Sequence, residues 1–227
     1  MTTTLITGAN RGLGKETARQ LVAAGHVVYV GARGEARGRA AADELGARFV
    51  RLDVTDDASV AAALDQIAAD GGLDVLINNA GIAMLARSGP DALEVFDTNA
   101  VGIVRVTEAA LPVLRKSANP VVVNVSSALG SFAANHDPSR PASSVSAIVY
   151  GASKAAVSML TVQYARAVPE VKFNAVEPGY TDTELGGADN SRGRPVRVSA
   201  QTIVRAASIG IDGPTGTFQE DAGELGW

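Results

Sequence analysis

Two hydrophobic patterns alternate along the chain. Short runs of β-branched and other aliphatic residues, typical of buried strands, are separated by longer segments in which apolar residues recur every three or four positions. Val60, Ala63, Leu64 and Ile67 show the second pattern, which gives a helix one apolar face. The predicted strands are Thr4–Thr7, Val27–Gly31, Arg48–Leu52, Val75–Ile77, Pro120–Val125 and Val171–Val176. The predicted helices are Gly12–Ala24, Glu35–Leu45, Asp56–Ala69, Pro90–Lys116 (long enough for two) and Tyr150–Ala167.

This alternation of strands and helices predicts an α/β fold. A strand, a crossover helix and the next parallel strand join with right-handed connections, so a series of such units builds a doubly wound parallel sheet of the Rossmann type with helices on both faces. The sequence shows no internal repeat, linker or shift of composition, so we expect one domain over residues 1–227. Two irregular segments, Ser131–Ile148 and Glu184–Val198, follow predicted strands. We expect them at the carboxyl edge of the sheet, forming the substrate side.

The composition narrows the possible functions. Only 4% of the 227 residues are aromatic against 46% hydrophobic, so Ala, Val, Leu and Ile must build the core, which suits buried parallel strands. A formal net charge of −4 gives no basic field for nucleic acid. With no cysteine, and with His26 and His136 far apart, we expect neither a disulfide nor a metal centre. The N-terminus lacks a secretory signal, and no apolar run approaches the ~18 residues of a membrane span, so we expect a cytoplasmic protein.

A glycine-rich turn separates the first predicted strand from the first predicted helix. It reads Thr7-Gly8-Ala9-Asn10-Arg11-Gly12-Leu13-Gly14. Glycine permits a tight turn and lets a phosphate approach the backbone, and the helix N-terminus adds free N–H groups and a partial positive charge. Because the turn follows the first strand of a βαβ series, it predicts dinucleotide binding rather than an ordinary turn.

The end of the second predicted strand favours NADPH over NADH as the cofactor. An NAD site usually has an acid there for the ribose 2′-hydroxyl, whereas an NADP site has a cation for the 2′-phosphate. Here Arg33 and Arg37 follow the strand, Arg11 lies in the glycine turn, and no acid occupies the strand tip. Guanidinium groups bind phosphate in bidentate fashion. The alternative is a solvated basic loop that Glu35 partly neutralises.

Two residues just past the third predicted strand are further candidates for the cofactor site. Val54 would line it, and Asp53 would either face the adenine edge or cap the next helix. The sequence leaves both roles of Asp53 open. Asp56 and Asp57 are candidate caps for the same helix.

These segments together resemble the short-chain dehydrogenases/reductases. The glycine turn has the TGxxxGxG spacing of that family, and NNAG at residues 78–81 follows the fourth strand. Further motifs occur in the expected order: FDTNAVG with Asn99, NVSSALG with Ser127, YGASK with Tyr150 and Lys154, and EPGYTDT with Pro178 and Gly179. The match extends from the N-terminus to about Leu185. Within the family, ARGEARG and the ending GPTGTF…W are similar to the NADPH-dependent carbonyl reductase branch.

The resemblance implies roles for the matching residues. The implied catalytic residues are Asn99, Ser127, Tyr150 and Lys154. The implied cofactor-binding residues are Gly8, Asn10, Arg11, Gly12, Leu13, Gly14, Arg33, Arg37, Asn79, Ala80, Gly81, Tyr150, Lys154, Pro178, Gly179, Tyr180, Thr181 and Thr183. Hydride would pass from NADPH to a ketone or aldehyde carbon while Tyr150 donates a proton to the oxygen held by Ser127. Asn99 would anchor a water that links Lys154 to solvent.

The Tyr–Lys spacing suits proton transfer. Tyr150 and Lys154 share one face of a helix and can enter one cleft. An ordinary tyrosine has a pKa near ~10, and one ammonium at ~4 Å with an effective dielectric of ~20 supplies about the 4 kcal/mol that lowers this pKa to ~7. Ser126 is the rival for the serine role, but neighbours on a strand point to opposite sides, and the family spacing from Ser127 to Gly130 favours Ser127.

Three features depart from the family pattern. Ser127 and Tyr150 are 23 positions apart (150 − 127), more than is usual, so an insertion borders the active site. Gly34 stands where the carbonyl reductase branch often has an acid. The chain after Pro178 is short, so we expect reduced substrate-covering helices.

Several alternatives stay open. The chain is either a reductase, an alcohol dehydrogenase working mainly in the oxidative direction, or a non-catalytic NADP-sensing regulator on the same fold. Family members often pair through the helices at 100–116 and 150–167, which the insertion could block, so both a monomer and a homo-oligomer are possible. His136 either touches substrate or lies in an exposed loop. Trp227 either closes the pocket or packs the chain end.

Overall fold

The computed structural model describes residues 1–84, 88–185 and 191–227. Its strands are β1 (Thr3–Thr7), β2 (Val27–Ala32), β3 (Arg48–Arg51), β4 (Val75–Asn78), β5 (Val121–Val125), β6 (Lys172–Val176), β7 (Phe218–Glu220) and β8 (Gly223–Glu224). Its α-helices are α1 (Gly12–Ala23), α2 (Glu35–Leu45), α3 (Asp57–Ala69), α4 (Gly89–Phe96), α5 (Gly102–Leu114), α6 (Phe132–His136), α7 (Ile148–Ala167) and α8 (Val196–Ala207). A π-helical turn, Asp97–Val101, joins α4 to α5, and 3₁₀ turns occupy Ala128–Gly130 and Pro141–Ser144.

The strands of the described residues form one sheet in the order β3-β2-β1-β4-β5-β6-β7-β8. All neighbouring strands are parallel except β7 and β8, which form an antiparallel hairpin. The strand order reverses at β1, because the chain first builds outward to β3 and then continues on the other side of β1 with β4. Open α/β sheets bind ligands outside the carboxyl ends of their strands at such a reversal.

Helices cover both faces of this sheet. Leu5 and Ile6 are neighbours on β1, point to opposite faces, and belong to two separate core clusters. The cluster around Leu5 joins α3 and α5 to the sheet, and the cluster around Ile6 joins α1, α2 and α8 to it. The doubly wound α/β fold predicted from the sequence is therefore confirmed.

The predicted elements up to α7 agree closely with the structure. Each of the six predicted strands is present with one end shifted by one residue, and α2 has the predicted bounds. The segment predicted as Pro90–Lys116 divides into α4, the π-helical turn and α5. Asp56 is the N-terminal cap of α3, since its carboxylate accepts hydrogen bonds from the backbone N–H groups of Ala58 and Ser59.

The sequence prediction misses the elements near the C-terminus. The irregular segment predicted as Glu184–Val198 ends earlier, because α8 begins at Val196, and residues 186–190 lie outside the described residues. The irregular segment predicted as Ser131–Ile148 is wrong in part, because it contains α6 and the 3₁₀ turn Pro141–Ser144. The β7–β8 hairpin is also absent from the prediction.

The insertion, defined here as residues 131–148, packs against this hairpin. The Ser131 hydroxyl donates to the carbonyl of Gly226 at 2.6 Å, and the Arg140 guanidinium binds both carboxylate oxygens of Glu220, at 3.0 and 2.6 Å. The ring of Trp227 lies 5.4 Å from that of Phe218, centre to centre, so Trp227 packs the chain end. His136 is exposed, as one alternative had it, but it lies at the end of α6 rather than in a loop and contacts the carbonyl of Phe132.

The longest helix of the described residues, α7, spans 20 residues but carries Lys154 and Arg166. Across the described ranges, no helix combines the length and the apolar composition that crossing a bilayer requires.

Candidate active site

The predicted site residues meet at the carboxyl edge of the sheet. The glycine turn follows β1, the NNAG motif begins at the end of β4, Ser127 follows β5 and the Pro178–Gly179 pair follows β6. Because these strands are parallel, the loops after them share one edge. The helix α7 contacts β6 and the Ala128–Gly130 turn, and so brings Tyr150 and Lys154 to the same edge.

The glycine turn packs closely against the end of β4. Gly8 has a φ of 66°, and a Cβ there would lie 3.0 Å from the Cα of Ala80. A Cβ on Gly14 would collide with the side-chain amide of Asn79, which donates to the carbonyl of Thr7 at 2.8 Å. The Thr7 hydroxyl in turn accepts from the backbone N–H groups of Asn79 and Ala80. Only glycine fits at these two places, and the turn is fixed at the sheet edge as a result.

The start of α1 faces the loop after β6. Arg11, the N-cap residue of α1, makes no side-chain capping hydrogen bond, so its side chain leaves the first N–H groups of the helix uncapped. Arg11, at the cap position, pairs with Glu184 at 2.6 Å. A Cβ on Gly12 would lie 3.7 Å from the Thr183 side chain. The structure thus brings together segments predicted to bind the two ends of a dinucleotide, with Asn10 and Leu13 partly buried beside them.

The two arginines after β2 are exposed and free to receive an anion. Among the described residues, neither Arg33 nor Arg37 forms an ion pair or a side-chain hydrogen bond. Glu35 pairs instead with Arg39 at 2.8 Å, and Arg39 also stacks over the ring of Phe49. Glu35 is therefore paired with Arg39 rather than with Arg33 or Arg37.

Asp53 and Val54, which follow β3, have different surroundings. Asp53 does not cap α3, because its carboxylate accepts instead from the N–H and hydroxyl of Thr55 at 3.0 and 2.8 Å. Burial acts to raise the pKa of Asp53, but the Thr55 hydrogen bonds and the charge of Arg33 bring it below its ordinary value. Val54 is buried, and its side chain packs against Gly102 of α5. A contact of Asp53 or Val54 with cofactor stays a prediction.

Asn99 lies in the π-helical turn and is fully buried. Its side-chain oxygen accepts from the N–H of Ile82 at 2.8 Å, and its side-chain nitrogen donates to the carbonyl of Ile82 and to the hydroxyl of Ser153. A Cβ on Gly81 would lie 3.3 Å from this Asn99 oxygen and 3.7 Å from the Lys154 ammonium. The Asn99 side chain is thus occupied with protein partners, and π-helical turns often occur at functional sites.

The two adjacent serines have different surroundings. Ser126 is buried, and its hydroxyl contacts the carbonyl of Lys154 at 3.1 Å and the hydroxyl of Ser158 at 3.2 Å. Ser127 is partly exposed and accepts from the N–H of Leu129 at 3.2 Å, and its hydroxyl is near enough to the Tyr150 phenol to act on the pKa of that phenol. This geometry favours Ser127 for the serine role, as the spacing predicts.

Tyr150 and Lys154 share one face of α7 but are not in direct hydrogen-bond contact. The Lys154 ammonium donates to the carbonyl of Val125 at 2.7 Å and lies 5.7 Å from the centre of the Tyr150 ring. Burial lowers the pKa of Lys154 to about 8, while the charge of Glu177 opposes this change.

The predicted lowering of the tyrosine pKa is wrong for this structure. Burial raises the pKa of Tyr150, the charge of Glu177 raises it further, and the nearby Ser127 hydroxyl acts in the opposite direction. The Lys154 ammonium does not compensate, because it is turned towards Val125. Tyr150 is therefore a neutral phenol at physiological pH and can donate a proton.

The loop after β6 has a defined conformation. Gly179 has a φ of 82°, and the Thr181 hydroxyl donates to the carbonyl of Gly179 and contacts the hydroxyl of Ser199, each at 2.7 Å. Pro178 is buried and Tyr180 is exposed. The Thr181 hydroxyl, predicted as a donor to the cofactor, is thus engaged within the protein.

Glu177 is a site residue that the sequence analysis misses. Its carboxylate accepts hydrogen bonds from the N–H groups of Ala128 and Gly179, at 2.5 and 2.8 Å. Burial raises the pKa of Glu177, while these two hydrogen bonds and the charge of Lys154 act to lower it. The available sequence signal is an acid placed directly between a buried strand and a Pro-Gly pair.

The insertion borders a groove on one side of α7. The groove has a volume of about 290 Å³ and is lined by Leu129, Asn135, Val145, Ser146, Ala147, Ile148, Gly151 and Ala152. None of the predicted catalytic side chains belongs to this lining. In the described part of the chain, no group of three or more His, Cys, Asp or Glu side chains is arranged to hold a metal ion.

Comparisons with known proteins agree with this geometry. The family model for short chain dehydrogenases matches residues 2–193, a range that contains every residue predicted above for catalysis or cofactor binding. A short-chain dehydrogenase/reductase of Stachybotrys chlorohalonatus is 35% identical over 245 aligned positions, which cover 96% of this chain and 88% of that protein.

Solved structures show the same similarity. An NADPH-bound carbonyl reductase from chicken fatty liver has a TM-score of 0.86 and 28% identity, with coverage of 100% of this chain and 99% of that one. The carbonyl reductase Sniffer of D. melanogaster has a TM-score of 0.85 and 25% identity, with full coverage of both chains.

Proposed function

The chain belongs to the short-chain dehydrogenase family, whose members are oxidoreductases acting on carbonyl and hydroxyl groups, and from this premise we propose that it is a reductase that uses NADPH to convert a ketone or aldehyde into an alcohol. The observation that carries the proposal is the state of Tyr150. Its phenol has a raised pKa and lies near the Ser127 hydroxyl, at the sheet edge that holds the glycine turn. A tyrosine in this state is a proton donor.

The residues around the crevice fit NADPH. The close packing at Gly8 and Gly14 leaves backbone rather than side chains at the start of α1, where a pyrophosphate would bind. Arg33 and Arg37 would hold the 2′-phosphate, and their lack of a carboxylate partner among the described residues supports this role. The chicken carbonyl reductase of the same fold binds NADPH.

The protein's own groups then perform the proton chemistry. When bound, NADPH supplies a hydride to the carbonyl carbon. Tyr150 donates its phenolic proton to the carbonyl oxygen, and the Ser127 hydroxyl donates a hydrogen bond to that oxygen, so negative charge does not build up on it. The product alcohol leaves Tyr150 as a phenolate.

Lys154 restores the proton to Tyr150. Its ammonium lies beside the tyrosine ring, and its pKa of about 8 makes it a ready donor near neutral pH. The buried Asn99 binds the backbone of Ile82, and the position of Gly81 beside it is near Lys154. A water in this region would link Lys154 to solvent.

The oxidative direction is the alternative enzymatic reading. It requires the Tyr150 phenolate as a base, which the raised pKa disfavours near neutral pH. A regulator that only senses NADP has no need of a proton donor, a serine and a lysine at the same edge.

The proposal is tested by following NADPH absorbance with a panel of ketones and aldehydes, with NADH as the matched cofactor. We expect turnover with at least one carbonyl class and a preference for NADPH. Tight NADPH binding without turnover across the panel contradicts the reductase and supports a sensor.

A further inference from the structure

Glu177 links the two loops that flank the reacting centre. Its backbone N–H donates to the carbonyl of Gln219 on β7 at 2.8 Å, which fixes the residue at the end of the sheet. One carboxylate oxygen accepts from Ala128, the residue after Ser127, and the other accepts from Gly179, at 2.5 and 2.8 Å. The loop that would hold the substrate oxygen and the loop that would hold the nicotinamide end are therefore bound to the same carboxylate.

Charged and titratable groups of three other segments face this carboxylate. The helix α7 contributes Tyr150 and Lys154, the strand β7 contributes Glu220, and the insertion contributes Arg140. Arg140 forms a two-pronged ion pair with Glu220, so the charges of these two groups largely cancel. The field on Tyr150 and Lys154 from this side is set chiefly by Glu177.

The charge of Glu177 favours the protonation states that a reduction needs at its start. Next to burial, it is the second cause of the raised pKa of Tyr150, because a phenolate would stand near another anion. It also opposes the effect of burial on Lys154, because an ammonium gains from a nearby carboxylate.

We propose that Glu177 is a positioning residue of the reduction, holding the Ser127 and Gly179 loops in a fixed relation and keeping Tyr150 in its proton-donating form. The proposal rests on the function proposed above. Glu177 acts through Tyr150 and through the backbone, without contact to substrate. The equilibrium of the reaction depends only on its reactants and products, so the charge of Glu177 does not change it. The charge changes the pH dependence of the rate instead: alcohol oxidation needs the Tyr150 phenolate, and the negative charge of Glu177 moves this reaction to higher pH.

The variant Glu177→Gln removes the charge at nearly constant shape, although its amide can accept from only one of the two N–H groups, of Ala128 and Gly179. We expect the alkaline rise of the oxidation rate to move to lower pH by about one unit, an ordinary size for the effect of one nearby charge. The matched control is Glu177→Asp, which keeps the charge but is one methylene shorter and cannot reach both N–H groups. We expect Glu177→Asp to lower turnover while its alkaline rise stays at the wild-type pH.

The possible outcomes separate the proposal from a merely structural role. A Glu177→Gln profile that rises at the wild-type pH overturns the proposal, even if turnover falls. If Glu177→Gln does not give a native circular dichroism spectrum, the shorter pair Glu177→Asp and Glu177→Asn provides the same comparison of charge at constant shape.

A second measurement keeps this test independent of the proposed activity. If no carbonyl compound is turned over, the proposed function fails, but the phenolate of the free protein can still be titrated by its ultraviolet absorbance. Tyr150→Phe, alone and combined with Glu177→Gln, removes the contribution of the other tyrosines. We expect the Tyr150 phenolate to appear at lower pH in Glu177→Gln than in the wild type, and coincident titrations overturn the proposal.

Discussion

The ammonium nitrogen of Lys154 donates to the carbonyl oxygen of Val125 at 2.7 Å and lies 5.7 Å from the centre of the Tyr150 ring. The carbonyl belongs to the last residue of β5, directly before the two serines, so the lysine joins α7 to the strand that positions Ser127. Lys154 therefore has a structural role in addition to its proposed part in proton return. The Lys154 charge can stabilise the Tyr150 phenolate only after Tyr150 has donated its proton.

Replacing Tyr150 with phenylalanine removes the proton donor and little else. We expect Tyr150→Phe to lower kcat by at least the 10²- to 10⁴-fold that is typical of general acid catalysis, because the variant lacks the proposed proton donor to the substrate oxygen. NADPH affinity, measured by the change in its fluorescence on binding, should stay within about threefold of wild type. Near-normal turnover in this variant would contradict the role of Tyr150 as proton donor.

Removing Arg33 and Arg37 together tests the cofactor preference. Hydrogen bonds to charged groups contribute about 1.5–3 kcal/mol each, so Arg33→Ala with Arg37→Ala should weaken NADPH binding by at least about 100-fold. NADH lacks the 2′-phosphate, and its affinity should change little. The matched control is Arg39→Ala, because Arg39 lies on α2 with Arg37 but is paired with Glu35. Equal losses for NADPH and NADH count against the phosphate role.

The adjacent serines should respond differently to alanine. Ser127→Ala removes the hydroxyl proposed to donate to the substrate oxygen, so we expect a loss in kcat of about 10²- to 10³-fold with the fold intact. Ser126→Ala removes a buried contact to the Lys154 carbonyl, so we expect a loss of about 1 kcal/mol in the free energy of unfolding and a smaller effect on turnover. Steady-state kinetics and urea unfolding of both variants check this, and the reverse assignment follows if Ser126→Ala loses more turnover.

The parallel strands are predictable because their physical causes are local. Each carries a run of aliphatic residues buried on both faces, and the six predictions each miss the bounds by one residue at one end. The strands β7 and β8 contain three and two residues, with Gln219 and Glu220 among them, and show no such run. They form because Phe218 reaches the core beside Trp227, a contact between residues that no local pattern connects.

The same distinction applies to the site. Motifs identify Ser127, Tyr150 and Lys154 because spacing along one strand end or one helix turn places them. The sequence does not predict Glu177 as a site residue, because its partner Ala128 is 49 positions earlier in the chain and only the parallel pairing of β5 with β6 brings the two together. The direction of the Lys154 side chain also depends on three-dimensional packing, so the expected effect on the Tyr150 pKa does not follow from spacing.

The ion pair between Arg140 and Glu220 should hold the insertion in place. Both Arg140→Ala and Glu220→Gln remove the two-pronged contact, and we expect each to cost about 1 kcal/mol of unfolding free energy, since the pair is partly solvated. We expect the insertion to border the active site, so KM for the carbonyl substrate should rise more than KM for NADPH. A double-mutant cycle measures the pair itself, and strictly additive losses contradict a direct coupling.

Burial of the Lys154 ammonium should appear in the pH dependence of stability. Its pKa is lowered to about 8, against 10.5 for an ordinary lysine. Between these values the unfolded chain holds a proton that the native protein has released, so the free energy of unfolding rises with pH, by at most about 1.4 kcal/mol per unit. Lys154→Met lacks the group, so the wild type should gain stability relative to this variant as the pH rises above about 8.

Tyr150 and Tyr164 have raised pKa values, and the stability they contribute is lost only above their ordinary value of 10.0. Urea unfolding of both proteins between about pH 7 and 9.5 therefore isolates the lysine, and a wild-type advantage that falls with pH in this window contradicts the prediction.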